Sequence, residues 1–362
     1  MSRYDHGGDY FGTARRLGVD PARLLDFSAS INPVGMPAGV KQAVIGAVDR
    51  VVHYPDPYAE LLREALAKHH GVSPGEIVTA NGSTELIFLL PRLVKGGRAL
   101  IVAPAFSEYA KALAAAGWDV NYLHLSPDDG FELNPELLEG CIAEGYDILF
   151  LCNPGNPTGR LYSRGELLQV MELCRAAGIF LVLDEAFIDF CGEDASLLGE
   201  LVAAGRGLVL RSLTKFYAIP GLRLGYAAAA SDICERLAEI SGPWRVNALA
   251  QAAGLAAVGD AAFATRTREF VASERAILFR QLAELPGLTP YAGAANYLLV
   301  RIHGNLSVAD LGRKLLLRRN ILIRDCSSFA GLEGGFFRVA VRSPEENRLL
   351  VASLQELLPQ VN

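Results

Sequence analysis

No basic stripe runs through this sequence: its 34 lysines and arginines are scattered among 40 aspartates and glutamates, leaving a formal charge of -6. A surface built to follow a nucleic-acid backbone is excluded on that ground, so anionic ligands must be met by individual arginines. Cysteine is equally sparse. The six, at 141, 152, 174, 191, 234 and 326, form no CxxC pair, have no metal-spaced histidines nearby, and lie mostly in apolar stretches. They read as free thiols in a reducing cytoplasm rather than as a disulfide framework or a metal knuckle. The N-terminal MSRYDHGGDYFG lacks the apolar core of a signal peptide. No stretch approaches the roughly 20 uninterrupted apolar residues of a membrane helix. A soluble, cytoplasmic chain with no membrane or nucleic-acid partner is expected. Internal repeats and low-complexity linkers are also missing, which excludes a repeat array.

What is present is apolar material in quantity: 51% of 362 residues, enough to bury two cores. From residue 37 to about 230, helical patterns alternate with short strand-like runs: EIVTA at 76, RALIVA at 98, DILFLC at 147, IFLVLD at 179 and GLVLR at 207. That alternation predicts an α/β layer with a mostly parallel sheet and helices on both faces. Amphipathic stretches at 58–70 and 163–177 end at Gly71 and Gly178, as helices do. An Ala-rich helical region follows from about 231 to 282. Strand-like NYLLVRI from 296, a helix near 307–319, FFRVAV from 336 and a closing helix after Pro344 predict a smaller α+β unit. The first 35 residues show turn signals (HGG, INPVG) and little periodicity, so they are expected to form an arm ordered against something else.

Chemistry concentrates where strands give way to turns. In SLTKFYAIPGLRLGY (212–226), the hydroxyls of Ser212 and Thr214 and the guanidinium of Arg223 can converge on a phosphate. The intervening Lys215 can supply an amine for imine formation if its surroundings lower its pKa. A lone lysine there would be a solvated loop residue; a phosphate anchor with an amine beside it fits pyridoxal phosphate. In LVLDEAFIDF (181–190), Asp184 follows an apolar strand at the sheet edge where α/β proteins place ligands. It is either a helix cap or a carboxylate that keeps a pyridine nitrogen protonated. NPGNPTG (153–159) puts Asn156 after another strand. In NGSTE (81–85), Ser83 and Thr84 open a helix whose free N–H groups can hold a phosphate.

These four motifs occur in the order and spacing of the fold type I pyridoxal-phosphate enzymes, the aspartate aminotransferase superfamily, and the resemblance covers nearly the whole chain. It implies a large domain at 36–240 with a mostly parallel seven-stranded sheet, a small α+β domain at 241–362, and an arm at 1–35 packing on the small domain and active site. By motif, Lys215 resembles the Schiff-base lysine, Asp184 the pyridinium partner and Asn156 the donor to the cofactor's phenolic oxygen. Ser83, Thr84, Ser212, Thr214 and Arg223 resemble the phosphate cup, and Phe106 in APAFSEY the aromatic stacked on the ring. VHYPDP (52–57) resembles the segment whose tyrosine, here Tyr54, crosses a dimer interface to the neighbour's cofactor phosphate, which implies a homodimer. One departure is DEAF where histidinol-phosphate aminotransferases read DEAY, so Phe187 cannot donate to the phenolic oxygen.

Substrate clues resemble two related families. Arg338 in FFRVAVR resembles the superfamily arginine that grips an α-carboxylate. Arg324 in ILIRDCSSF resembles the arginine that histidinol-phosphate aminotransferase and its relatives place on the substrate phosphate. The HGG arm, LDFSASINPVGMP and AVRSPEENRLL resemble the threonine-phosphate decarboxylases of cobalamin biosynthesis more than the aminotransferases. That resemblance implies that His6 helps bind the substrate phosphate and that Asn32 lies near the substrate. It further implies decarboxylation of L-threonine phosphate, or of L-serine phosphate one methyl group smaller. Some relatives carry a Cys- and His-rich extension where this chain stops at Asn362, so no metal is expected. The alternatives are a histidinol-phosphate aminotransferase and a cofactor-binding sensor without turnover.

Overall fold

A computed structural model describes residues 6–358. In chain order its strands are β1 (Leu25–Asp26), β2 (Ile77–Ala80), β3 (Arg98–Ala103), β4 (Asp119–His124), β5 (Ile148–Cys152), β6 (Phe180–Asp184), β7 (Gly207–Ser212), β8 (Gly225–Ala229), β9 (Leu288–Pro290), β10 (Tyr297–Ile302), β11 (Ile321–Leu322), β12 (Arg324–Asp325) and β13 (Phe336–Ala340). Seven of them form one sheet in the order β2-β8-β7-β6-β5-β3-β4, in which β8 alone runs antiparallel to its neighbours. The expected mostly parallel, seven-stranded α/β sheet is what forms. Strands β2, β5 and β7 are buried at every position, because helices cover both faces and leave no polar side to alternate with. Along β5 the side chains nevertheless sort by the strand period of two: Leu149 and Leu151 join one apolar cluster, Ile148 and Phe150 the other.

Strands β4 and β8 escaped the sequence reading for different reasons. DVNYLH is an edge strand and largely polar, so it carries no apolar run. GYAAA ends in three alanines, which suit a helix by propensity. Its first residue has to be glycine: a Cβ on Gly225 would lie 2.4 Å from the Ser83 backbone nitrogen, so the glycine lets a helix N-terminus approach the sheet.

A second sheet, β12-β13-β10-β9, is antiparallel throughout. One face packs Leu298, Val300, Phe337 and Val339 with Leu278, Leu350 and Leu354, of the helices Ala261–Ala283 and Pro344–Leu357. The Ala-rich stretch expected as one helical region is three helices, Ser231–Ser241, Ala248–Ala257 and Ala261–Ala283. Gly242, before Pro243, and Gly259 interrupt it at positive φ of 73° and 93°. Among the described residues no single helix is long and apolar enough to cross a membrane; the last two would pass only together, and they meet at 81°.

The N-terminal segment holds a helix, Tyr10–Leu17, which the sequence reading did not find because only Thr13 and Ala14 of it are buried. Beyond it the chain becomes part of the second sheet's surroundings. β1 pairs in parallel with β11, Phe27 is fully buried, and its carbonyl accepts from the Ala340 backbone nitrogen at 2.9 Å. The Asn32 backbone nitrogen donates to the Lys215 carbonyl at 3.0 Å, which ties this segment to the end of β7.

Candidate active site

Strands β5, β6 and β7 run parallel and adjacent, so their carboxyl ends lie on one edge of the sheet. At the end of β7, the Lys215 ammonium donates to Ser212 Oγ at 2.9 Å, and Ser212 Oγ shares a 2.8 Å hydrogen bond with Thr214 Oγ1. Burial pushes the lysine pKa down to about 8; the charge of Asp184 opposes that fall and Arg223 adds to it. The ammonium also lies 5.6 Å from the centre of the Phe187 ring. A Lys215 amine of this kind becomes nucleophilic near neutrality. In the cofactor-free protein we expect its acylation by an amine-specific reagent, followed by peptide mass analysis, to rise through a midpoint near pH 8 rather than the ordinary 10.5. A midpoint at the ordinary value would contradict the burial argument.

Asp184 closes β6 and is buried. Its Oδ1 accepts from the Ala186 backbone nitrogen at 2.9 Å and its Oδ2 from the Tyr109 hydroxyl at 2.5 Å. Burial raises its pKa, and the two donors pull it back. After β5, the turn carrying Asn156 is pinned from two directions. Arg338 Nη1 donates to Asn156 Oδ1, and the Tyr297 hydroxyl donates to the Gly155 carbonyl at 2.6 Å.

The proposed phosphate anchors assemble around one helix end. Ser83 and Thr84 open the helix Ser83–Leu93, after Gly82 at φ 82°. A Cβ on Gly82 would meet Arg223 Nη2 at 2.5 Å, so the guanidinium lies directly against this terminus. Ser212 joins them through its register partner Gly225, whose missing side chain admits the Ser83 nitrogen.

Arg324 and Arg338 are directly paired across β12 and β13, both buried, at 9% and 7% exposure. Such partners project from the same face of a sheet, and like charges there repel. Arg324 donates to Ser328 Oγ at 3.0 Å. Arg338 donates to the Ser28 carbonyl at 3.2 Å and stands 4.8 Å over the Tyr297 ring, and its Nε is buried without a hydrogen-bond partner.

His6 reaches the same neighbourhood from the N-terminal arm. Its Nε2 lies 2.7 Å from Glu108 Oε1 and its ring 5.5 Å from that of Phe106, which is half-buried. Asn32 faces the protein: its amide nitrogen donates to the Phe216 carbonyl at 2.6 Å and to Thr267 Oγ1 at 3.2 Å. Both amide hydrogens are therefore committed, and only the oxygen, which already accepts from Val34, remains for a ligand. Tyr54 is 83% exposed beside Trp244, with ring centres 5.0 Å apart.

Three features were missed. Tyr109 sits three residues after Phe106 with nothing in the spacing to tell that its hydroxyl crosses to β6. Fully buried Arg211 binds Glu185, Asp189 and Glu193 at 2.8, 3.0 and 2.9 Å. Beside that network, His69, His70 and Glu193 bring three candidate metal-ligand atoms within 4.8 Å of one another. Arg211 already holds both Glu193 oxygens, and the His70 Nε2 meets the Tyr226 hydroxyl at 2.6 Å, so the group is wired as an ion-pair network. All six cysteines are free.

A lysine, a buried carboxylate and a basic helix terminus at the end of a doubly wound sheet define a class, and the family comparison agrees with it. Residues 22–354 match the family aminotransferase class I and II, and the chain belongs to that family. Within it, the chain is 44% identical over 354 residues to the threonine-phosphate decarboxylase of Salmonella typhimurium, covering 98% of this chain and 96% of that one. Among solved structures it is similar to L-threonine-O-3-phosphate decarboxylase from Porphyromonas gingivalis, with TM-score 0.82, 29% identity and 91% and 98% of the two chains covered. It is also similar to the histidinol-phosphate aminotransferase from Clostridium acetobutylicum, with TM-score 0.86, 27% identity and coverage of 92% and 99%.

Proposed function

We propose that this protein is a pyridoxal-phosphate enzyme that decarboxylates L-threonine O-3-phosphate to (R)-1-aminopropan-2-yl phosphate in cobalamin biosynthesis. The pairing of two buried arginines, Arg324 and Arg338, carries the substrate class. Two guanidiniums on one face of a small sheet call for a ligand with two anionic groups. The 44% identical relative supports the choice of reaction.

The residues fit the cofactor. Gly82 admits the Arg223 guanidinium and Gly225 admits the Ser83 backbone nitrogen, which brings a cation and a helix N-terminus together where Ser83, Thr84, Ser212, Thr214 and Arg223 would hold the phosphate. Asp184, ionised, would keep a proton on the ring nitrogen, Asn156 would face the phenolic oxygen, Phe106 would cover the ring, and Lys215 would hold the carbonyl carbon through its amine. When bound, the cofactor supplies an electron-accepting ring that weakens the bonds around the substrate's α-carbon. Arg338 would grip the α-carboxylate, while Arg324 and His6 hold the phosphate. A substrate fixed at two points has one bond aligned for cleavage, so this clamp selects loss of carbon dioxide over proton removal. Lys215, with its pKa lowered to about 8, can deliver a proton to the α-carbon and recover it near neutrality.

The active unit is a cytoplasmic homodimer in which Tyr54 reaches the neighbour's cofactor phosphate. Tyr54 and Trp244 stand exposed with ring centres 5.0 Å apart, and Val48, Val51, Val52 and Leu61, near Tyr54 in sequence, are exposed as well, which supports a second copy as the covering partner. We place the cofactor-bearing domain at 36–240 and the smaller one at 241–362, with the arm at 1–35 packing on the small domain and active site; residues 1–5 and 359–362 of these spans lie outside the described residues.

The test is product analysis of purified protein with pyridoxal phosphate and, separately, L-threonine phosphate, L-serine phosphate and histidinol phosphate. Release of carbon dioxide with formation of 1-aminopropan-2-yl phosphate is expected. A serine-phosphate preference would move the substrate by one methyl group, a difference worth about 1 to 3 kcal/mol in a pocket. Transamination of histidinol phosphate dependent on 2-oxoglutarate would overturn the decarboxylase, and cofactor binding without turnover would make the protein a sensor.

A further inference from the structure

We propose that Tyr109 is a positioning residue that sets both the carboxylate and the aromatic ring between which the cofactor is gripped. It stands in the first turn of the helix Glu108–Ala115 and is fully buried. One face of its ring stacks on Phe150 of β5, with centres 4.9 Å apart and planes 24° apart. Phe106 meets it edge-on at 5.8 Å and 84°. The hydroxyl reaches past both to Asp184 Oδ2, in a contact between residues 75 apart in sequence. A single side chain therefore touches two of the groups assigned to the cofactor, and its own orientation is fixed by the sheet.

The chemistry of the pair favours positioning over proton transfer. Asp184 has two donors, Tyr109 and the Ala186 backbone nitrogen, and Lys215 acts on it only through space. Removing the hydroxyl leaves one buried oxygen without a partner, which favours the protonated carboxyl. A neutral Asp184 cannot hold a proton on a ring nitrogen. Tyr109 itself is a permanent donor: burial, with the charge of Asp184 beside it, raises its pKa well above the phenol range.

This inference rests on the reading of Asp184 as the ring-nitrogen partner, and the experiment separates the two. Tyr109→Phe, Asp184→Asn and the double variant are prepared as holoenzymes, and cofactor dissociation constants and the pH dependence of the bound cofactor's visible absorption are measured. Tyr109→Phe keeps the ring packing and should weaken cofactor binding about ten- to hundredfold. Its absorption midpoint should move to higher pH. The double variant should bind no more weakly than Asp184→Asn alone, because the tyrosine acts through the carboxylate. Unchanged affinity and midpoint in Tyr109→Phe, with both altered in Asp184→Asn, would overturn the role of Tyr109 alone. Additive losses in the double variant would overturn it too, by showing a contribution independent of Asp184. An Asp184→Asn enzyme with normal affinity and absorption would remove the reading on which both stand. Should Tyr109→Phe fail to fold, Tyr109→Leu, which also lacks a donor to Asp184 Oδ2, takes its place in the same measurements, and native affinity and midpoint there would overturn the role of the hydroxyl.

Discussion

The Lys215→Ala variant should lose about a thousandfold or more of its decarboxylase activity while gaining stability. The activity loss follows from removing the amine proposed to hold the cofactor carbonyl and to move the proton at the α-carbon, a proton transfer alone being worth roughly 10² to 10⁴. The gain follows from linkage. The folded-state pKa of Lys215 lies at about 8, below the 10.5 of an exposed lysine. The unfolded chain therefore binds more protons between those values, so the lysine costs stability as pH falls through that window, and the full cost is present below it. At pH 7 the cofactor-free variant should be more stable by on the order of 3 kcal/mol, read as a higher urea midpoint at unchanged slope. Lys215→Arg should be equally inactive, because a guanidinium stays protonated and cannot act as the nucleophile. Retained turnover in Lys215→Ala would remove the lysine from the chemistry. A drop in stability would show that its hydrogen bond to Ser212 outweighs the cost of burying the amine.

What could be read from the sequence and what could not divides along a physical line. β5, β6 and β7 stand out because a strand buried on both faces has to be a continuous apolar run, and a turn signal follows each one. The placement of Lys215, Asp184 and Asn156 on one edge of the sheet was legible for the same reason: each sits within a few residues of such an ending. β8 was hidden because it opens on a glycine, required by the approach of Ser83 to Gly225, and ends in three alanines, which carry a helical propensity instead. The helix Tyr10–Leu17 was hidden because it buries too little to show a period. Tyr109 and Arg211 were out of reach for a third reason. Their partners lie 75 residues away in one case and 15 to 26 in the other, and a pairing of that kind exists only once strands are in register. Asn32 marks the limit of carrying roles across by resemblance. Its amide hydrogens serve Phe216 and Thr267, so its first task here is to tie the arm to the segment that bears Lys215.

Arg211 carries the largest structural prediction. Its guanidinium is completely buried and binds Glu185 through Nε, Asp189 through Nη1, and Glu193 and Ser196 Oγ through Nη2. Arg211→Met matches the volume but leaves three carboxylates facing one another, with Glu185 itself fully buried. Breaking a buried ion pair from one side costs about 3 to 5 kcal/mol, because the stranded charge keeps its desolvation penalty. Urea unfolding of the cofactor-free protein should show that loss at pH 8. The pH dependence gives a second reading. Burial already lifts the Asp189 pKa to about 6, and Arg211 holds it down from going further, as it does for Glu185. Without the arginine these carboxyls take up protons more readily, so the deficit of the variant should shrink as pH falls from 8 to 5. Adding Glu185→Gln to Arg211→Met removes the most buried charge and should restore part of the loss. Glu185 follows Asp184 and Arg211 precedes Ser212, so the pair locks β6 to β7 at the point where the carboxylate and hydroxyl proposed to hold the cofactor emerge. The Arg211→Met enzyme should accordingly bind pyridoxal phosphate more weakly even where it remains folded. A stability loss below about 1 kcal/mol would show that the three carboxylates find protons or solvent at little cost, and that the register of the two strands does not depend on this ion pair.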